Sequence, residues 1–315
     1  MELSLFTDSV RELPVEEALD FAVKIGATAV EIATGGMSEA LHLNLDELLN
    51  DPQQSSRYHD AITSRGLRIG ALNCSAWALD PIKGEQQVAA IRSTLDLAKR
   101  WGVTKIVTMS GCPGDGPGST TSNWLWYPWP PENAEIRERQ WDQAIALWQD
   151  LAKYAADCGV DRIAFELHPG HLVYNIPTLI RMREAVGPSI GMNLDPSHLF
   201  WQQMDPIAVM RALPEAVYHV HLKDVELVPD QLGLAGVLDY RPFEVIGQRA
   251  WTFRALGLGH DETFWTNFVS SLHAIGYDDV LSIENEDPYM SVAEGVEQAA
   301  RFIRPIMSAV AGGAA

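Results

Sequence analysis

Residues 163–171 read IAFELHPGH, a run of strand-forming residues that ends at Pro169 and Gly170. Glu166 and His168 are two positions apart, so a strand would place both side chains on one face. Such a strand has two interpretations. It is either an apolar strand with some polar residues at its end, or a strand end that contributes ligands to a metal site. The rest of the chain is needed to decide between them.

Short apolar runs of this kind alternate with longer amphipathic segments along the whole chain. This pattern predicts eight strands, at residues 3–7, 29–34, 68–75, 105–111, 162–168, 189–195, 217–224 and 280–286. Six of the intervening segments end in a glycine, the residue that most easily adopts the left-handed conformation of a helix end. These glycines are Gly26, Gly66, Gly102, Gly159, Gly187 and Gly276.

Eight strand–helix units in 315 residues average roughly 39 residues each, a usual size for a (β/α)8 barrel. The competing doubly wound sheet requires a glycine-rich phosphate turn after an early strand, but the first strand is followed by TDSVRELP. The glycine-rich GCPGDGPG at 111–118 lacks the Lys and Ser/Thr of a phosphate-binding loop. The sequence therefore predicts an α/β fold, a (β/α)8 TIM barrel, as a single domain over residues 1–315.

Acidic residues outnumber basic ones, with 42 Asp and Glu against 23 Lys and Arg and a formal net charge of -19. This charge repels phosphate backbones and anionic lipids, so we predict neither nucleic acid nor a membrane surface as a partner. No signal segment or long apolar stretch is present in the sequence, which predicts a cytoplasmic protein. Cys74, Cys112 and Cys158 are far apart and predict neither a disulfide framework nor a zinc knuckle.

Two predicted loops are longer than a connection requires, and both follow strands. The first, residues 112–133 after strand four, is rich in tryptophan and proline, and the second covers about 225–260 after strand seven. Both would lie at the C-terminal end of a barrel, where TIM barrels bind substrates. Flat indole faces suit sugar rings, so Trp124 and Trp126 are candidates for substrate binding, as is His260 at the end of the second loop. Packing or a subunit contact would explain the tryptophans equally well.

The last four predicted strands all end in polar residues, which in a barrel would face the mouth. In order these residues are Glu166 with His168, Asp195 followed by His198, His219 and His221 followed by Lys223, and Glu284. Unpaired polar groups at one mouth are costly to desolvate, and a divalent cation would satisfy them together. Two glutamates, one aspartate and one of the histidines would form an oxygen-rich ligand set with one nitrogen. Such a set favours Mn²⁺, with Co²⁺, Mg²⁺ and Zn²⁺ as alternatives.

The histidines of this set have different expected positions. His221 lies nearer the mouth than His219 and is the preferred ligand, whereas His219 lies deeper in the barrel. His168 lies further out, where an imidazole can act as an acid or a base on a substrate. His198 is placed to hydrogen-bond the substrate or a metal-bound water, and Lys223 is a further candidate for substrate binding.

The segments FELHPGH, MNLDPSHLFW, HVHLKD and LSIENEDP resemble those of the xylose-isomerase-like TIM barrels, a family of sugar and sugar-phosphate isomerases and epimerases. The resemblance covers essentially the whole chain. It implies that the metal ligands are Glu166, Asp195, His221 and Glu284. In the epimerases of free ketoses the two metal-bound glutamates transfer the protons, which implies the same catalytic role for Glu166 and Glu284.

The spacing of Glu166 and His168 is also similar to that in the metal-binding larger subunit of C-glycoside deglycosidases, which act on 3-oxo-glycosides together with a small β subunit. This similarity implies that His168 is the catalytic base. The favoured function is therefore lyase cleavage of a 3-oxo-C-glycoside by an oligomer, with or without a small β subunit. The alternatives are a sugar (phosphate) isomerase or 3-epimerase, and a barrel that binds a sugar without catalysis.

Overall fold

The computed structural model describes residues 1–313, which form ten strands. These are β1 (Glu2–Phe6), β2 (Ala29–Gly36), β3 (Arg68–Ser75), β4 (Lys105–Thr108), β5 (Arg162–Glu166), β6 (Ile190–Leu194), β7 (Val217–Leu222), β8 (Asp224–Leu227), β9 (Trp251–Arg254) and β10 (Val280–Ile283). All except β8 and β9 close into a parallel barrel in chain order, with β10 beside β1. This arrangement confirms the predicted TIM barrel.

Eleven α-helices in residues 1–313 surround the barrel. They are α1 (Val15–Lys24), α2 (Leu45–Asn50), α3 (Pro52–Thr63), α4 (Gly84–Trp101), α5 (Glu132–Asp157), α6 (Ile176–Val186), α7 (Pro196–Phe200), α8 (Pro206–Ala212), α9 (Pro229–Ala235), α10 (Glu262–Ala274) and α11 (Val292–Ala311). The six glycines predicted at helix ends all have positive φ, between 68° at Gly102 and 127° at Gly187. None of the helices in residues 1–313 combines the length and the apolar composition needed to cross a bilayer.

The core lies between the barrel and the helices. Trp148 of α5 packs edge-on against Phe165 of β5, with 4.5 Å between ring centroids, and both residues are fully buried. The indole nitrogen of Trp148 donates a hydrogen bond to the Ser110 carbonyl at 2.9 Å. The three cysteines are buried free thiols. This packing fixes the strand ends on which the polar residues lie.

An ion-pair network closes the N-terminal end of the barrel. Lys105, only 3% exposed, donates to Asp279 Oδ2 at 2.7 Å, and Arg68 donates to Asp279 Oδ1 at 2.9 Å. Arg162 approaches the same carboxylate at 3.4 Å. Burial raises the pKa of Asp279, but these cations outweigh it and lower the pKa to about 2. One carboxylate before β10 thereby binds the first residues of β3, β4 and β5.

Long connections follow β4 and β7, as predicted, but the second is not an open loop. The strands β8 and β9 pair antiparallel, with Asp224 opposite Arg254, and α9 lies between them. This hairpin begins within two residues of the end of β7. The segment after β7 is therefore a structured unit beside the C-terminal mouth of the barrel.

Candidate metal centre and substrate cavity

The structure brings the predicted ligands to the C-terminal mouth of the barrel. Glu166 is the last residue of β5, Asp195 follows β6, His221 lies in β7 and Glu284 follows β10. The carboxyl ends of parallel barrel strands meet at one end, which explains the convergence. Glu166, Asp195 and His221 are buried, and the Glu284 side chain is 14% exposed.

The ligand atoms form two adjoining groups. Asp195, His221 and Glu284 each contribute one atom to the first group, and Glu166, His168 and His198 each contribute one to the second. Within each group the three atoms lie within 4.8 Å of one another. His198 connects the groups, since its Nε2 lies 2.8 Å from Glu166 Oε1 and 3.3 Å from Asp195 Oδ2. His198 therefore links Glu166 to Asp195 in the other group.

Several of these buried atoms lack a hydrogen-bond partner among residues 1–313. They are Asp195 Oδ2, Glu284 Oε2 and His198 Nε2. His221 Nδ1 lies 2.8 Å from Glu284 Oε2, but without the geometry of a hydrogen bond. Burying such atoms unsatisfied is costly, and a divalent cation would satisfy them. The donors, carboxylate oxygens with imidazole nitrogen, fit Mn²⁺, Co²⁺ or Zn²⁺.

Three carboxylates, those of Asp195, Glu284 and Glu166, lie close together at this mouth. Burial raises the pKa of Asp195 to about 8, with Glu284 and Glu166 adding to the rise and Lys223 opposing it. Burial also acts to raise the pKa of Glu166, but contact with His198 lowers it overall. Lys223 Nζ lies 3.4 Å from Glu284 Oε2 and 3.8 Å from Asp195 Oδ2. A bound cation would neutralise the carboxylates that these neighbours balance only in part.

Glu31, in the middle of β2, was not predicted as a site residue and lies fully buried below the mouth. Its carboxylate contacts four side chains: His219 Nε2 at 2.8 Å, His221 Nε2 at 3.1 Å, Asn73 Nδ2 at 2.7 Å and Ser282 Oγ at 2.7 Å. With Nε2 of His221 on Glu31, Nδ1 is the nitrogen beside Glu284. A carboxylate on the second nitrogen commonly orients a metal-binding histidine. In the sequence, the one indication of this role was that Glu31 is a single carboxylate inside the apolar run AVEIAT.

Glu31→Gln is expected to weaken metal binding about 10- to 100-fold, because a neutral amide holds the His221 ring less firmly. The affinity is measured by calorimetric titration of the metal-free protein with Mn²⁺ and with Zn²⁺. Glu17→Gln on the exposed side of α1 is the control and should bind as the wild type does. Equal affinities in the two variants would contradict an orienting role for Glu31.

A cavity of about 680 Å³ adjoins the metal-ligand candidates, a size that suits a small organic ligand. The barrel contributes to its lining Glu166, His168, His198, Lys223 and Glu284, and the segment after β7 contributes Asp239, Tyr240, Arg241, Phe243, Arg249, Trp251 and Phe253. A cavity of about 820 Å³ at the other end of the barrel is lined by the ion-pair network of Lys105, Arg162 and Asp279. Of these two cavities, the first is the one that includes the polar strand ends.

Trp124 and Trp126, predicted to bind substrate, are not among the residues that line this cavity. Trp124 packs edge-on against Tyr174, with 5.1 Å between centroids, and Trp126 is 49% exposed beside Tyr127. The loop after β4 is held against α5 because Gln140 donates hydrogen bonds to three of its backbone carbonyls. Trp124 is packed and Trp126 is largely exposed, and their role in substrate binding stays a prediction.

His260 was also predicted to bind substrate, and the structure places it outside the cavity lining. Its Nδ1 lies 2.7 Å from Asp224 Oδ1, and its ring stacks on Phe200 with 3.7 Å between centroids. Asp224 also accepts the backbone N–H of His260 at 2.9 Å. These contacts hold Nδ1 and the backbone N–H of His260 on Asp224, where β8 meets the start of α10, and its role in substrate binding stays a prediction.

Comparison with known proteins identifies the family. A model of the xylose isomerase-like TIM barrel matches residues 19–306. The chain is 41% identical over 312 residues to the uncharacterized protein YfiH of Bacillus subtilis (strain 168), covering 98% of this chain and 100% of YfiH.

Solved structures share the fold at low identity. The IolI protein with a bound zinc atom superimposes with a TM-score of 0.66 at 18% identity, covering 98% of each chain. L-ribulose 3-epimerase gives 0.65 at 15% identity, covering 99% of this chain and 96% of the epimerase. The barrel, the match to the family model and the similarity to YfiH agree: the chain belongs to the xylose isomerase-like TIM barrel family.

Proposed function

We propose that the protein is a divalent-metal-dependent enzyme that removes a proton next to the carbonyl of a keto sugar or a 3-oxo-glycoside. The observation that carries this proposal is the convergence of Glu166, Asp195, His221 and Glu284 beside one 680 Å³ cavity, with carboxylate oxygens that lack hydrogen-bond partners in residues 1–313. The bound zinc of IolI, which shares the fold, supports a metal here. Mn²⁺ is the ion that we propose.

Removing a proton next to a carbonyl requires a base and stabilisation of the negative charge that develops on oxygen. A bound divalent cation supplies the stabilisation as a Lewis acid. The chain supplies the base, because Glu166, His168 and Glu284 all line the cavity. A positioned base typically increases the reaction rate by ~10²- to 10⁴-fold. His198 and Lys223 line the same cavity and are proposed to bind the oxygen atoms of the sugar.

The favoured reaction is lyase cleavage of a 3-oxo-C-glycoside, with His168 as the base. His168 Nδ1 lies 2.5 Å from the Pro169 carbonyl oxygen. Because that oxygen can only accept, Nδ1 carries the proton and Nε2 is left to take one from the substrate. His168 would remove the proton at C2, next to the 3-keto group, and the electron pair would form the C1–C2 double bond as the bond from C1 to the aglycone breaks. The protonated His168 would return a proton to the aglycone carbon, so that the products are a 1-en-3-one sugar and the neutral aglycone. This proposal includes an oligomer with a small β subunit.

The second candidate is a ketose isomerase or 3-epimerase, favoured by a different observation. Glu166 and Glu284 come from β5 and β10 and both line the cavity, so two carboxylates are available to a bound sugar. One would remove the proton and the other would return it on the opposite face, or to the neighbouring carbon. L-ribulose 3-epimerase shares this fold, which supports the alternative.

The reactions are separated by incubating the Mn²⁺-loaded protein with a 3-oxo-C-glycoside and a panel of free ketoses. We expect aglycone release, reduced ~10²- to 10⁴-fold in His168→Ala because the general base is lost. His273→Ala, an exposed histidine on α10, is the control and should release aglycone at the wild-type rate.

Other outcomes of this assay are equally informative. Ketose interconversion without aglycone release, retained in His168→Ala and lost in Glu284→Gln, would replace the lyase by the isomerase. Neither activity from a metal-loaded protein, with or without a small β subunit supplied, would leave the non-catalytic sugar-binding barrel.

A further inference from the structure

Arg249, two residues before β9, is a buried cation in the cavity lining. Its residue surface is 3% exposed, and it lines the same cavity as Glu166 and Glu284. The guanidinium carbon lies 4.2 Å from the ring centroid of Phe243 and 4.5 Å from that of Trp251. Two aromatic rings therefore shield this charge from water.

The hydrogen bonds of Arg249 give its charge no carboxylate partner, since Asp239, which pairs with Arg241, and Glu244 act on it only from beyond ion-pair distance. Arg249 donates to two backbone carbonyls, those of Arg241 and Trp251, and no carboxylate oxygen in residues 1–313 lies within the 4.0 Å of an ion pair. Two arginines of the same segment differ in this respect. Arg241 pairs with Asp239, and Arg254 pairs with Asp287 at 3.0 Å.

A buried charge without a counter-charge is unfavourable unless a ligand supplies one. The planar guanidinium presents five N–H donors in a fork that matches a carboxylate or a phosphate. Burial also lowers the pKa of Arg249, with Arg241 adding to the fall and Asp239 and Glu244 opposing it. Carboxylate and phosphate are therefore the ligand groups that fit this position.

Aromatic rings separate Arg249 from the metal-ligand candidates within the one cavity. Phe253 lies between them: its ring centroid is 6.0 Å from Phe243 and 5.4 Å from Trp251. The same ring lies 5.6 Å from the His198 ring centroid, and Lys223 Nζ lies 4.5 Å from it. A sugar whose carbonyl lies at the strand ends would thus direct its far end toward Arg249.

We propose that Arg249 binds an anionic group at the end of the substrate away from the reacting carbons. The substrate is then a keto sugar or glycoside that carries a carboxylate or a phosphate, rather than a neutral one. This inference rests on the proposed function, because it assumes that the cavity holds the sugar.

The test is calorimetric titration of the Mn²⁺-loaded full chain with fructose 6-phosphate, fructuronate and fructose. At least one of the two anionic sugars is expected to bind about tenfold or more tightly than fructose, since hydrogen bonds to a charged group are the stronger ones. Preference for the phosphate or for the carboxylate identifies the anion. Inorganic phosphate should compete with the preferred sugar.

Variants assign the preference to one residue. Arg249→Gln is expected to bind anionic sugars no more tightly than fructose, and Arg249→Lys, which keeps the charge without the fork, should retain part of the preference. Arg254→Gln removes the same charge from the same hairpin and should keep all of it. Arg249→Lys carries the test if Arg249→Gln does not fold.

Three results would overturn the inference: equal binding of all three sugars, no binding of either anionic sugar, or a preference that survives in Arg249→Gln. The metal content of the same samples tests the proposed function separately. Anion preference in a protein that holds no metal would keep Arg249 as an anion site and reject the metal-dependent reaction.

Discussion

Asp195→Asn is expected to abolish tight metal binding and to lower turnover by about 10³-fold, since metal polarisation contributes several kcal/mol to catalysis. Asp195 Oδ1 accepts the Ser197 N–H at 2.8 Å at the start of α7, and an asparagine oxygen can keep this bond. The second oxygen, which lacks a hydrogen-bond partner in residues 1–313, becomes an amide nitrogen that does not bind a cation. Because Asp195 is not a proposed acid or base, the loss reports on the metal alone.

The matched control is Asp205→Asn. Asp205 also precedes a proline at the start of a helix and accepts the Ile207 N–H at 2.8 Å, but it is exposed and outside the cavity lining. The measurements are metal content after dialysis against Mn²⁺, turnover, and the thermal unfolding midpoint of both metal-free variants. Full metal content in Asp195→Asn would show that the metal-binding proposal is wrong.

Asp279→Asn is expected to lower the free energy of unfolding by about 3–5 kcal/mol, the effect of leaving one member of a buried ion pair alone. Lys105 Nζ lies 2.7 Å from Asp279 Oδ2 and is 3% exposed, so water does not replace the lost counter-charge. Arg68 and Arg162 lose the same partner, but their side chains are 43% and 41% exposed and regain solvent. The measurement is urea unfolding, with the free energy extrapolated to water.

Asp278→Asn is the control for this prediction. The neighbouring aspartate is 88% exposed and pairs only with the Met1 amine among the residues described, so its loss should leave the urea midpoint unchanged. The double variant Lys105→Met with Asp279→Asn should recover much of the lost stability, because no unpaired buried charge remains. An Asp279→Asn midpoint equal to that of Asp278→Asn would refute the account of the network.

The fold could be predicted from the sequence because it depends on local patterns. Strand runs such as RIAFELH, amphipathic segments and helix-ending glycines are all visible within about ten residues, and they gave eight barrel strands. The predicted ends of β4, β5, β7 and β10 extend two or three residues too far, and His168, Lys223 and Glu284 lie just past the ends of β5, β7 and β10, in the cavity lining. Because the ends of parallel barrel strands meet at one mouth, the same pattern predicted that Glu166, Asp195, His221 and Glu284 lie near one another.

The remaining features depend on contacts between distant parts of the chain. Glu31 is 190 positions from His221, and no local pattern indicates that pairing. The positions of Trp124 and His260 follow from how their loops pack, on Tyr174 and on Asp224, rather than from the strands they succeed. The burial of Arg249 likewise depends on Phe243 and Trp251, and no local pattern distinguishes it from other charged loop residues.

Two parts of the cavity surroundings differ in origin. The metal-ligand candidates come from four separate strands of the barrel, whereas the wall with Arg249 and its aromatic neighbours is one continuous segment, residues 239–253. Mutations within that one connection would change which substrates the cavity binds. The metal-ligand candidates on the strands would stay unchanged. Substrate preference and reaction type can therefore diverge independently during evolution, and grafting this segment between relatives is a direct route to redesigning the first without rebuilding the second.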